Sequence, residues 1–356
     1  MPIDSLYLEK FRLFDSKKIE LSPERSLIVG KNGSGKTSIL EAVEILFSGK
    51  SFRSSNTLDC IKHTESFFKI AALGKSSEIE LRLEISKSSE GRISTKRTLG
   101  GKSIKSSEAP LIQAILGKHL RMVEGEPELR RDFVNRLMFH VKPETSILNN
   151  NYSKALQQRN RALRKKLPIQ QLNNWTEQVL ELGLKLSKEQ YEFFKVFKEV
   201  SINYIFKEIK ENKIEFLKDI NLHFISGWDT SKSMRKCFQD SLPKDMALGY
   251  TTQGPHRQDF VFSVDKKKAA ANLSRGQVKL LIILMFLSSY DIINKFSQRE
   301  SFLLIDDIGA EMDEDNLKTL FNIISKDKNQ VILTAIDGSF LDKMNEDLKQ
   351  FKRINL

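Results

Sequence analysis

Residues 28–38 read IVGKNGSGKTS, and this stretch decides the fold. The apolar run Leu27-Ile28-Val29 leads into three glycines, a lysine and a threonine, and apolar residues at helical spacing follow. The segment Gly30–Thr37 fits the phosphate-binding pattern GxxxxGK[ST]. The glycines let the backbone curl so that successive N–H groups face one anion, and the next helix presents its positive N-terminus. The stretch therefore predicts a strand, a phosphate-binding loop (P-loop) and a helix, and with them a nucleotide site.

The loop and the residue after it supply the candidate nucleotide contacts. Lys36 can reach the β- and γ-phosphates, and the Thr37 hydroxyl can bind Mg²⁺. The predicted contacts are Gly30, Lys31, Asn32, Gly33, Ser34, Gly35, Lys36, Thr37 and Ser38.

The composition is that of a globular protein, with 356 residues, 40% hydrophobic and 29% charged. Cys60 and Cys237 lack metal-ligand spacing, which favours a reducing, intracellular environment. Since no basic segment leads into an apolar one at the N-terminus, we expect no signal peptide. The longest apolar run, 280–290, is too short to span a bilayer and predicts a buried helix. We therefore expect a soluble, cytoplasmic protein.

The net charge of +12 and the pI of about 9.4 are strongly basic. Such an excess favours a polyanionic partner, of which nucleic acid is the commonest. The alternative is a solvated basic surface without a ligand, and composition alone does not separate the two.

Strand patterns occupy both ends of the chain, and helical patterns rich in Lys and Glu fill the middle. Apolar residues alternate strictly from 78 to 85, and the Gly-Gly pair at 100–101 predicts a hairpin soon after. A β-rich head split by a helical insertion explains this order better than two consecutive domains. We predict the α/β class, with a mixed sheet in the head. The predicted parts are the head, residues 1–125 and 249–356, and a mainly helical lobe, residues 126–248.

A second motif lies where the apolar run Phe302–Ile305 ends in Asp306 and Asp307. Such a run predicts a buried strand, and its end lies at the ligand-binding edge of a parallel sheet. There Asp306 would hold Mg²⁺, directly or through water, and Asp307 would polarise the attacking water. Alone, this pattern is more often a plain strand end, but a P-loop in the same chain favours the catalytic interpretation.

Between these motifs lies the segment Asn272–Gln277, followed by the apolar helix. Ser274 at a helix N-cap needs no function, yet Ser and Gly at a helix N-terminus also make an anion site. The segment resembles the LSGGQ signature of ATP-binding-cassette (ABC) ATPases, in which the signature of one subunit covers the γ-phosphate on the partner's P-loop. The motif order resembles the cassette order, and the long insertion resembles the SMC-like branch rather than transporters. The resemblance implies nucleotide contacts from Ser274, Arg275, Gly276, Gln277 and Asp313.

Further segments resemble the RecF family of bacterial recombination mediators. They are Phe11-Arg12, Ser51-Phe52-Arg53, Gly125-Glu126-Pro127 with Arg130-Arg131, Gln158-Arg159-Asn160 and Gly254-Pro255-His256-Arg257. The resemblance implies an ABC-type ATPase head in two lobes, ATP and Mg²⁺ as cofactors, an ATP-driven homodimer and a weak, DNA-stimulated ATPase used as a switch. It also implies a clamp on DNA near single-strand/double-strand junctions that helps RecR and RecO to load RecA during repair at the nucleoid.

The chain departs from the cassette pattern at two places. No His follows the strand Val331–Leu333, so the γ-phosphate must be sensed by another group, which fits slow turnover. The acidic strand ends Asp-Asp where many cassettes have Asp-Glu, and a shorter base holds its water less well. Gln113, after an apolar pair, is the candidate for a catalytic Gln that senses Mg²⁺.

Residues 151–166 contain six basic side chains and no acidic one. Leu156 and Leu163, seven apart, give this predicted helix a buried seam. Because no aromatic residue lies among the basic ones, contact with duplex phosphates is favoured over base stacking on single strands. A solvated helix face is the alternative. The predicted DNA contacts are Lys154, Arg159, Arg161, Arg164 and Lys165, and for His256 and Arg257 structural and functional roles both stay open.

Two other classes of protein fit the sequence less well. The motor subunit of a membrane importer would need a short, continuous cassette and a switch His, and the sequence has neither. An SMC-like structural or chromosome-associated ATPase would need a long coiled coil, but the helical middle lacks sustained heptads and is too short.

Overall fold

The computed structural model describes residues 1–76, 78–105, 108–297, 300–339 and 350–356. The chain forms two compact units. The first unit contains Met1–His119, Ser274–Phe286 and the described residues after 299, and the second contains Leu120–Leu273 and Leu287–Ser297.

The strands and helices are numbered in chain order. The strands are β1 (Ile3–Phe11), β2 (Phe14–Glu20), β3 (Arg25–Val29), β4 (Phe67–Ser76), β5 (Ile79–Ser88), β6 (Ile93–Leu99), β7 (Lys102–Ser103), β8 (Leu111–Ile115), β9 (Asn221–Ile225), β10 (Asp259–Val264), β11 (Lys267–Lys268), β12 (Ser301–Ile305), β13 (Gln330–Ala335) and β14 (Lys352–Asn355). The helices are α1 (Lys36–Ser48), α2 (Arg121–Glu124), α3 (Pro127–Val141), α4 (Pro143–Arg164), α5 (Ile169–Asn212), α6 (Met234–Leu248), α7 (Ala269–Asn272), α8 (Arg275–Ser297) and α9 (Glu314–Ser325).

A parallel sheet with the strand order β14-β3-β13-β12-β8 positions the two predicted motifs. Every residue of β3, β12 and β13 is buried, as expected for central strands of a parallel sheet. Val29 pairs with Ala335, and Leu333 pairs with Ile305, so these strands end close together at one edge. The loop after β3 and the two aspartates after β12 therefore meet at that edge.

An antiparallel sheet with the order β2-β1-β4-β5-β6-β7 completes the first unit. In β5, Leu81, Leu83 and Ile85 are buried while their neighbours Glu80 and Arg82 are exposed, which confirms the predicted alternation from residue 80 onward, whereas Ile79 is 47% exposed. The predicted hairpin is confirmed as well, because Leu99 of β6 pairs with Lys102 of β7 across the Gly-Gly pair. Parallel and antiparallel strands thus belong to separate sheets rather than to one mixed sheet.

One hydrophobic core fixes α1 between the strands of both sheets. It contains Ile39 and Val43 of α1, Leu8 of the antiparallel sheet, and Leu304 and Ile332 of the parallel sheet. The apolar stripe of α1 is therefore held on two sides. This packing sets the direction in which the N-terminus of α1 faces the loop before it.

The second unit is built on α4 and α5, which four residues, 165–168, connect. Helix α5 has 44 residues and is about 66 Å long at 1.5 Å per residue. A small antiparallel sheet, β11-β10-β9, lies in the same unit, with Ser263 of β10 opposite Asn221 of β9. Because β10 pairs with β9, the predicted lobe-to-head boundary at residue 249 falls inside the second unit.

The apolar segment before the acidic strand forms α8. Every residue from Leu280 to Leu287 is at most 3% exposed. By length and composition Arg275–Phe296 passes as a membrane span, but 89% of its apolar window is buried inside the protein. This is the predicted buried core helix.

Candidate functional site

The loop between β3 and α1 curls around its own lysine. The Ser34 N–H donates to the Lys31 carbonyl at 3.1 Å, and Lys36 Nζ donates to the carbonyls of Gly30 at 2.6 Å and Lys31 at 3.0 Å. Gly35 has a φ of +100°, and a Cβ atom there would lie 2.4 Å from the Phe14 ring. Only glycine fits this position without displacing the ring. The ammonium group of Lys36 therefore lies at the mouth of the loop, where a phosphate would bind.

The P-loop and the acidic strand are joined through Asp306. Thr37 Oγ1 donates to its carboxylate, 3.0 Å from Oδ1 and 2.8 Å from Oδ2. The Thr334 hydroxyl, at the end of β13, also donates to Oδ1, at 2.7 Å. Two motifs that are 269 residues apart in the sequence thus share one carboxylate.

Asp307 is held through its backbone while its side chain stays available. Its φ of +52° is unusual for a residue other than glycine. The Asp307 N–H donates to Thr334 Oγ1 at 2.8 Å, and the Asp307 carbonyl accepts from Lys279 Nζ at 2.6 Å. Asp307 Oδ1 is buried and has no hydrogen-bond partner in the part of the chain that the structure describes. Such an atom needs an incoming donor.

These groups surround a cavity of about 300 Å³. Its lining is Leu13, Asn32, Gly33, Gly35, Lys36, Thr37, Ser38, Arg53, Asp306 and Asp307. Ser34 Oγ is a second buried polar atom without a partner among the described residues. Backbone N–H groups, an ammonium group and the Ser34 hydroxyl fit a triphosphate, and Asp307 Oδ1 can accept from a water molecule beside it.

The same residues fit Mg²⁺. The Thr37 hydroxyl and the Asp306 carboxylate are hard oxygen ligands that already touch. Within the described ranges, no group of three His, Cys, Asp or Glu side chains forms a metal centre by itself. Mg²⁺ is usually held by one or two protein oxygens together with phosphates, so this donor set suits it.

A buried carboxylate, Glu41 of α1, links two of the RecF-like segments, and the sequence analysis missed it. Glu41 is 0% exposed, and Arg12 holds it with Nε at 2.9 Å from Oε2 and Nη2 at 2.5 Å from Oε1. Arg53 Nη1 lies 3.8 Å from Glu41 Oε2 and also lines the cavity. The signal was present in the sequence, because Glu41 is an acid inside the apolar run 39–43.

The pKa values around Glu41 follow from this arrangement. Hydrogen bonding to Glu41 raises the pKa of Arg12, so the guanidinium stays charged. Burial, and then the negative charge of Glu41, raise the pKa of Cys60 to about 12. The Cys60 thiol therefore stays protonated and lies 3.6 Å from Glu41 Oε1. It packs and donates, but it does not react as a thiolate.

The signature-like segment caps α8. The Ser274 N–H donates to Gln277 Oε1 at 2.9 Å, and the Gln277 N–H donates to Ser274 Oγ at 3.3 Å, which is a reciprocal capping box. A Cβ atom on Gly276 would lie 2.8 Å from the Glu311 carbonyl, and Arg275 pairs with the Glu311 carboxylate at 2.8 Å. Asp313 caps α9 through the Asn316 N–H. None of the five predicted contacts here lines the P-loop cavity, so their role stays a prediction.

Gln113 lies away from the strand ends. It is on β8 opposite Leu303, two residues before the end of the strand, and it is 8% exposed. It is not among the residues that line the cavity. Its assignment as a catalytic residue that senses Mg²⁺ stays a prediction.

Arg159 is a correction to the predicted DNA contacts. Its side chain is 1% exposed and pairs with the fully buried Asp245, with Nη1 at 2.9 Å from Oδ2. It also donates to the hydroxyls of Thr251 at 2.5 Å and Thr176 at 3.1 Å, and its guanidinium lies 4.9 Å from the centre of the Phe238 ring. All its donors face the interior, so Arg159 is structural and cannot reach a phosphate.

His256 is structural too. Its Nδ1 accepts from the Tyr152 hydroxyl at 2.7 Å, and its Nε2 faces the Thr251 carbonyl at 3.1 Å. Burial lowers the pKa of His256 to about 4, so the ring is neutral at physiological pH. Arg257 differs, because its side chain is exposed beside the Tyr250 ring.

The other predicted DNA contacts remain on the surface. We call them the α4 basic face: Lys154, Arg161, Arg164 and Lys165, all exposed. Lys154, Arg161 and Lys165 lie within about 40° of one another around the helix axis. Across the described ranges none of the four pairs with a carboxylate, and α4 contains no acidic residue after Glu144.

A parallel sheet with a P-loop and an acidic strand at one edge, beside an antiparallel sheet, is the head of an ABC-type ATPase. The chain belongs to the RecF/RecN/SMC N-terminal domain family, whose model matches residues 2–355. Its relatives include the DNA replication and repair protein RecF of Pseudoalteromonas translucida, 29% identical over 99% of this chain and 97% of that protein. RecF of Shewanella piezotolerans is 30% identical over 95% of this chain and 92% of that protein.

Solved structures confirm the predicted fold class. The recombination mediator protein RecF in the RecFOR pathway matches in its RecF-ATPrS form with a TM-score of 0.76 and in its RecF-ATP form with 0.74. The identities are 20% and 22%, over 95% of this chain and 94% and 92% of those chains. A Smc head bound to the C-winged helix domain of ScpA matches with a TM-score of 0.52, 18% identity and coverage of 97% and 92%.

Proposed function

We propose that this protein is an ATP-switched DNA-binding ATPase of replication and recombinational repair, like the RecF proteins it resembles. The main support for nucleotide binding is the Asp306 carboxylate, to which the Thr37 hydroxyl of the P-loop donates at 2.8 Å. Lys36 would offset the negative charge of the β- and γ-phosphates, and the loop N–H groups would bind their oxygens. Mg²⁺, when bound to Thr37 and Asp306, would supply charge neutralisation at the triphosphate.

Asp307 is the residue we assign to hydrolysis. Its Oδ1 is a buried acceptor that has no partner among the described residues, and it lines the cavity beside Lys36 and Thr37. It would orient a water molecule and accept its proton. The sequence has no His after β13 that could contact the γ-phosphate. Near the end of β13 the Thr334 hydroxyl instead donates to Asp306 and accepts from the Asp307 N–H. This arrangement supports a weak ATPase that serves as a switch rather than a fast enzyme.

The P-loop cavity supports an ATP-dependent homodimer. In one chain it receives no lining from Ser274 or its neighbours, although Ser274 caps α8 with an exposed hydroxyl. A second copy that places its own Ser274 over the γ-phosphate would complete the cavity. ATP would then join two chains, and hydrolysis would release them.

The α4 basic face supports the DNA half of the proposal. Four exposed cations on a helix segment without acids suit the phosphates of a duplex. The solved relatives are recombination mediators of the RecFOR pathway. We extend this role to the chain as a clamp near single-strand/double-strand junctions that assists RecO and RecR in loading RecA, in the cytoplasm at the nucleoid.

Mixing two inactive variants tests the shared active site. Ser274→Arg places a bulky side chain where the γ-phosphate must dock, and Lys36→Met removes the phosphate cation, so each variant alone should neither dimerise with ATP nor hydrolyse it. Their mixture contains heterodimers with one intact site and one doubly damaged site. ATP-dependent dimer formation, measured by light scattering, and hydrolysis should therefore rise above those of either variant alone.

The exposed Lys50→Met, just beyond α1, is the matched lysine control and should behave like the parent chain. Titrating the mixture over several ratios should place the maximum near equal amounts of the two variants. No recovery of dimer or of hydrolysis at any ratio would contradict the shared site. The DNA half is tested separately, by binding of tailed duplexes and single strands with and without ATP across a salt series.

A further inference from the structure

Tyr250 lies beside the last turn of α4, although the two are far apart in the sequence. Gly249, which ends α6, approaches α4 so closely that a Cβ atom there would lie 2.8 Å from Arg164 Cγ. Thr251 donates its N–H to Asn160 Oδ1 at 2.8 Å. The residues on both sides of Tyr250 are therefore fixed on the turn from 160 to 164, which bears Arg161 and Arg164.

The segment that carries Tyr250 is rigid for a physical reason. The buried Arg159–Asp245 pair holds the Thr251 hydroxyl from one side, and Asp245 Oδ1 accepts the N–H of Thr252 at 2.9 Å. Breaking these contacts would leave a buried charge without a partner, which is costly. An aromatic ring presented from such a segment loses little conformational entropy when a ligand binds it.

The ring itself is exposed and lies beside a cation. Tyr250 is 39% exposed, and the Arg257 guanidinium lies 5.3 Å from its ring centre. The fold thus places an exposed aromatic ring next to the turn that bears Arg161 and Arg164, although residues 154–166 contain no aromatic residue.

We propose that Tyr250 is a stacking platform for an unpaired base of single-stranded DNA, next to a phosphate track on the α4 basic face. The inference rests on the proposed DNA-binding function and adds to it the chemical class of the contact. The phosphates of DNA would bind the cations of the α4 basic face, and the face of an unpaired base would stack on the Tyr250 ring. A duplex hides its base faces, whereas the single-stranded side of a junction offers both groups. An acidic protein partner would match the cations but would leave Tyr250 without a specific role.

The test compares DNA affinities of the full chain by fluorescence anisotropy. Stacking on an aromatic side chain contributes about 1–3 kcal/mol per base, so Tyr250→Ala should weaken binding to single strands and tailed duplexes about 5- to 150-fold. Blunt duplex affinity and the salt slope should stay as in the parent, because no phosphate contact is lost. Tyr250→Phe keeps the ring and should keep the affinity.

Tyr191→Ala is the matched control. Tyr191 is 49% exposed and has Lys195 Nζ at 5.2 Å from its ring centre, but it lies on α5 among Glu189 and Glu192. It should bind every DNA like the parent. A 2-aminopurine base in the single-stranded tail should lose fluorescence on binding to the parent and to Tyr250→Phe, and should keep it with Tyr250→Ala.

Three outcomes decide between the proposals. If the parent chain binds no DNA with or without ATP, the proposed function is overturned, and this inference with it. If the parent binds but Tyr250→Ala matches it on tailed duplexes and leaves the 2-aminopurine signal unchanged, only the stacking platform is overturned. An equal loss on blunt and tailed duplexes overturns it too, and melting curves of all variants show whether folding is the cause.

Discussion

Arg159 and Arg161 are two residues apart on α4, and we expect their removal to have opposite consequences. Arg159→Ala leaves the Asp245 carboxylate, which is 0% exposed, without its cation. It also removes two hydrogen bonds to threonine hydroxyls and the contact with the Phe238 ring. Arg161→Ala removes an exposed side chain that pairs with no carboxylate across the described ranges.

The magnitude follows from the burial of the pair. Removing one partner of a buried ion pair costs about 3–5 kcal/mol. In a unit of this size that corresponds to a fall of about 6–20 °C in the unfolding temperature. For Arg161→Ala we expect a change within about ±0.5 kcal/mol. Scanning calorimetry of both variants and the parent measures the difference directly.

A double substitution sharpens the result. Once Arg159 is absent, Asp245→Ala removes a charge that has lost its cation, so the two losses should sum to more than the loss in the double variant. Additive losses, or equal melting temperatures for Arg159→Ala and Arg161→Ala, would refute the structural role. Arg159 would then return to the candidates for DNA contact.

Three further results are expected. Asp307→Asn should still bind ATP but hydrolyse it more slowly, so that light scattering detects more dimer. Asp306→Asn should instead weaken Mg²⁺-dependent nucleotide binding. If both variants hydrolyse ATP at the rate of the parent chain, the proposed site is contradicted. Replacing Arg161, Arg164 and Lys165 together by Gln should make the slope of log affinity against log salt shallower by about 0.9 per lost phosphate contact on a duplex. Burial lowers the pKa of His256 to about 4, so the imidazole binds a proton more readily in the unfolded chain than in the folded one. The contribution of the neutral ring to the free energy of unfolding should therefore be fully present above pH 6.5 and be lost as the pH falls toward 4. Urea unfolding across this range should show a smaller pH dependence in His256→Gln, and identical curves would contradict the buried neutral ring.

Local patterns made the nucleotide site predictable. The P-loop and the acidic strand each lie within about ten residues, and a strand, a loop and a helix, and a buried strand, form where they were predicted. That the two motifs meet follows from a general rule about parallel sheets rather than from any one residue. The role of Thr334, in contrast, could not be predicted, because its hydrogen bonds to both aspartates depend on the pairing of β13 with β12.

Long-range pairing set the limit of prediction elsewhere. A run of basic residues on α4 does not show that one of them faces Asp245, 86 residues away. The predicted boundary at residue 249 missed the pairing of β10 with β9, because strand patterns do not identify their partner. In both places a buried polar contact or a strand register, and not composition, decides which residues belong together.

Lys279 links the first turns of α8 to the backbone of Asp307. It lies in the second turn of α8, the helix that Ser274 caps, and its ammonium group bonds the carbonyls of Asp307 at 2.6 Å and Ala310 at 2.9 Å. Burial lowers the pKa of Lys279, and the nearby carboxylates oppose that shift. Any force on the first turn of α8 is therefore transmitted to the peptide that orients Asp307. In the proposed dimer, a partner chain that contacts the first turn of α8 would therefore shift the peptide that orients Asp307.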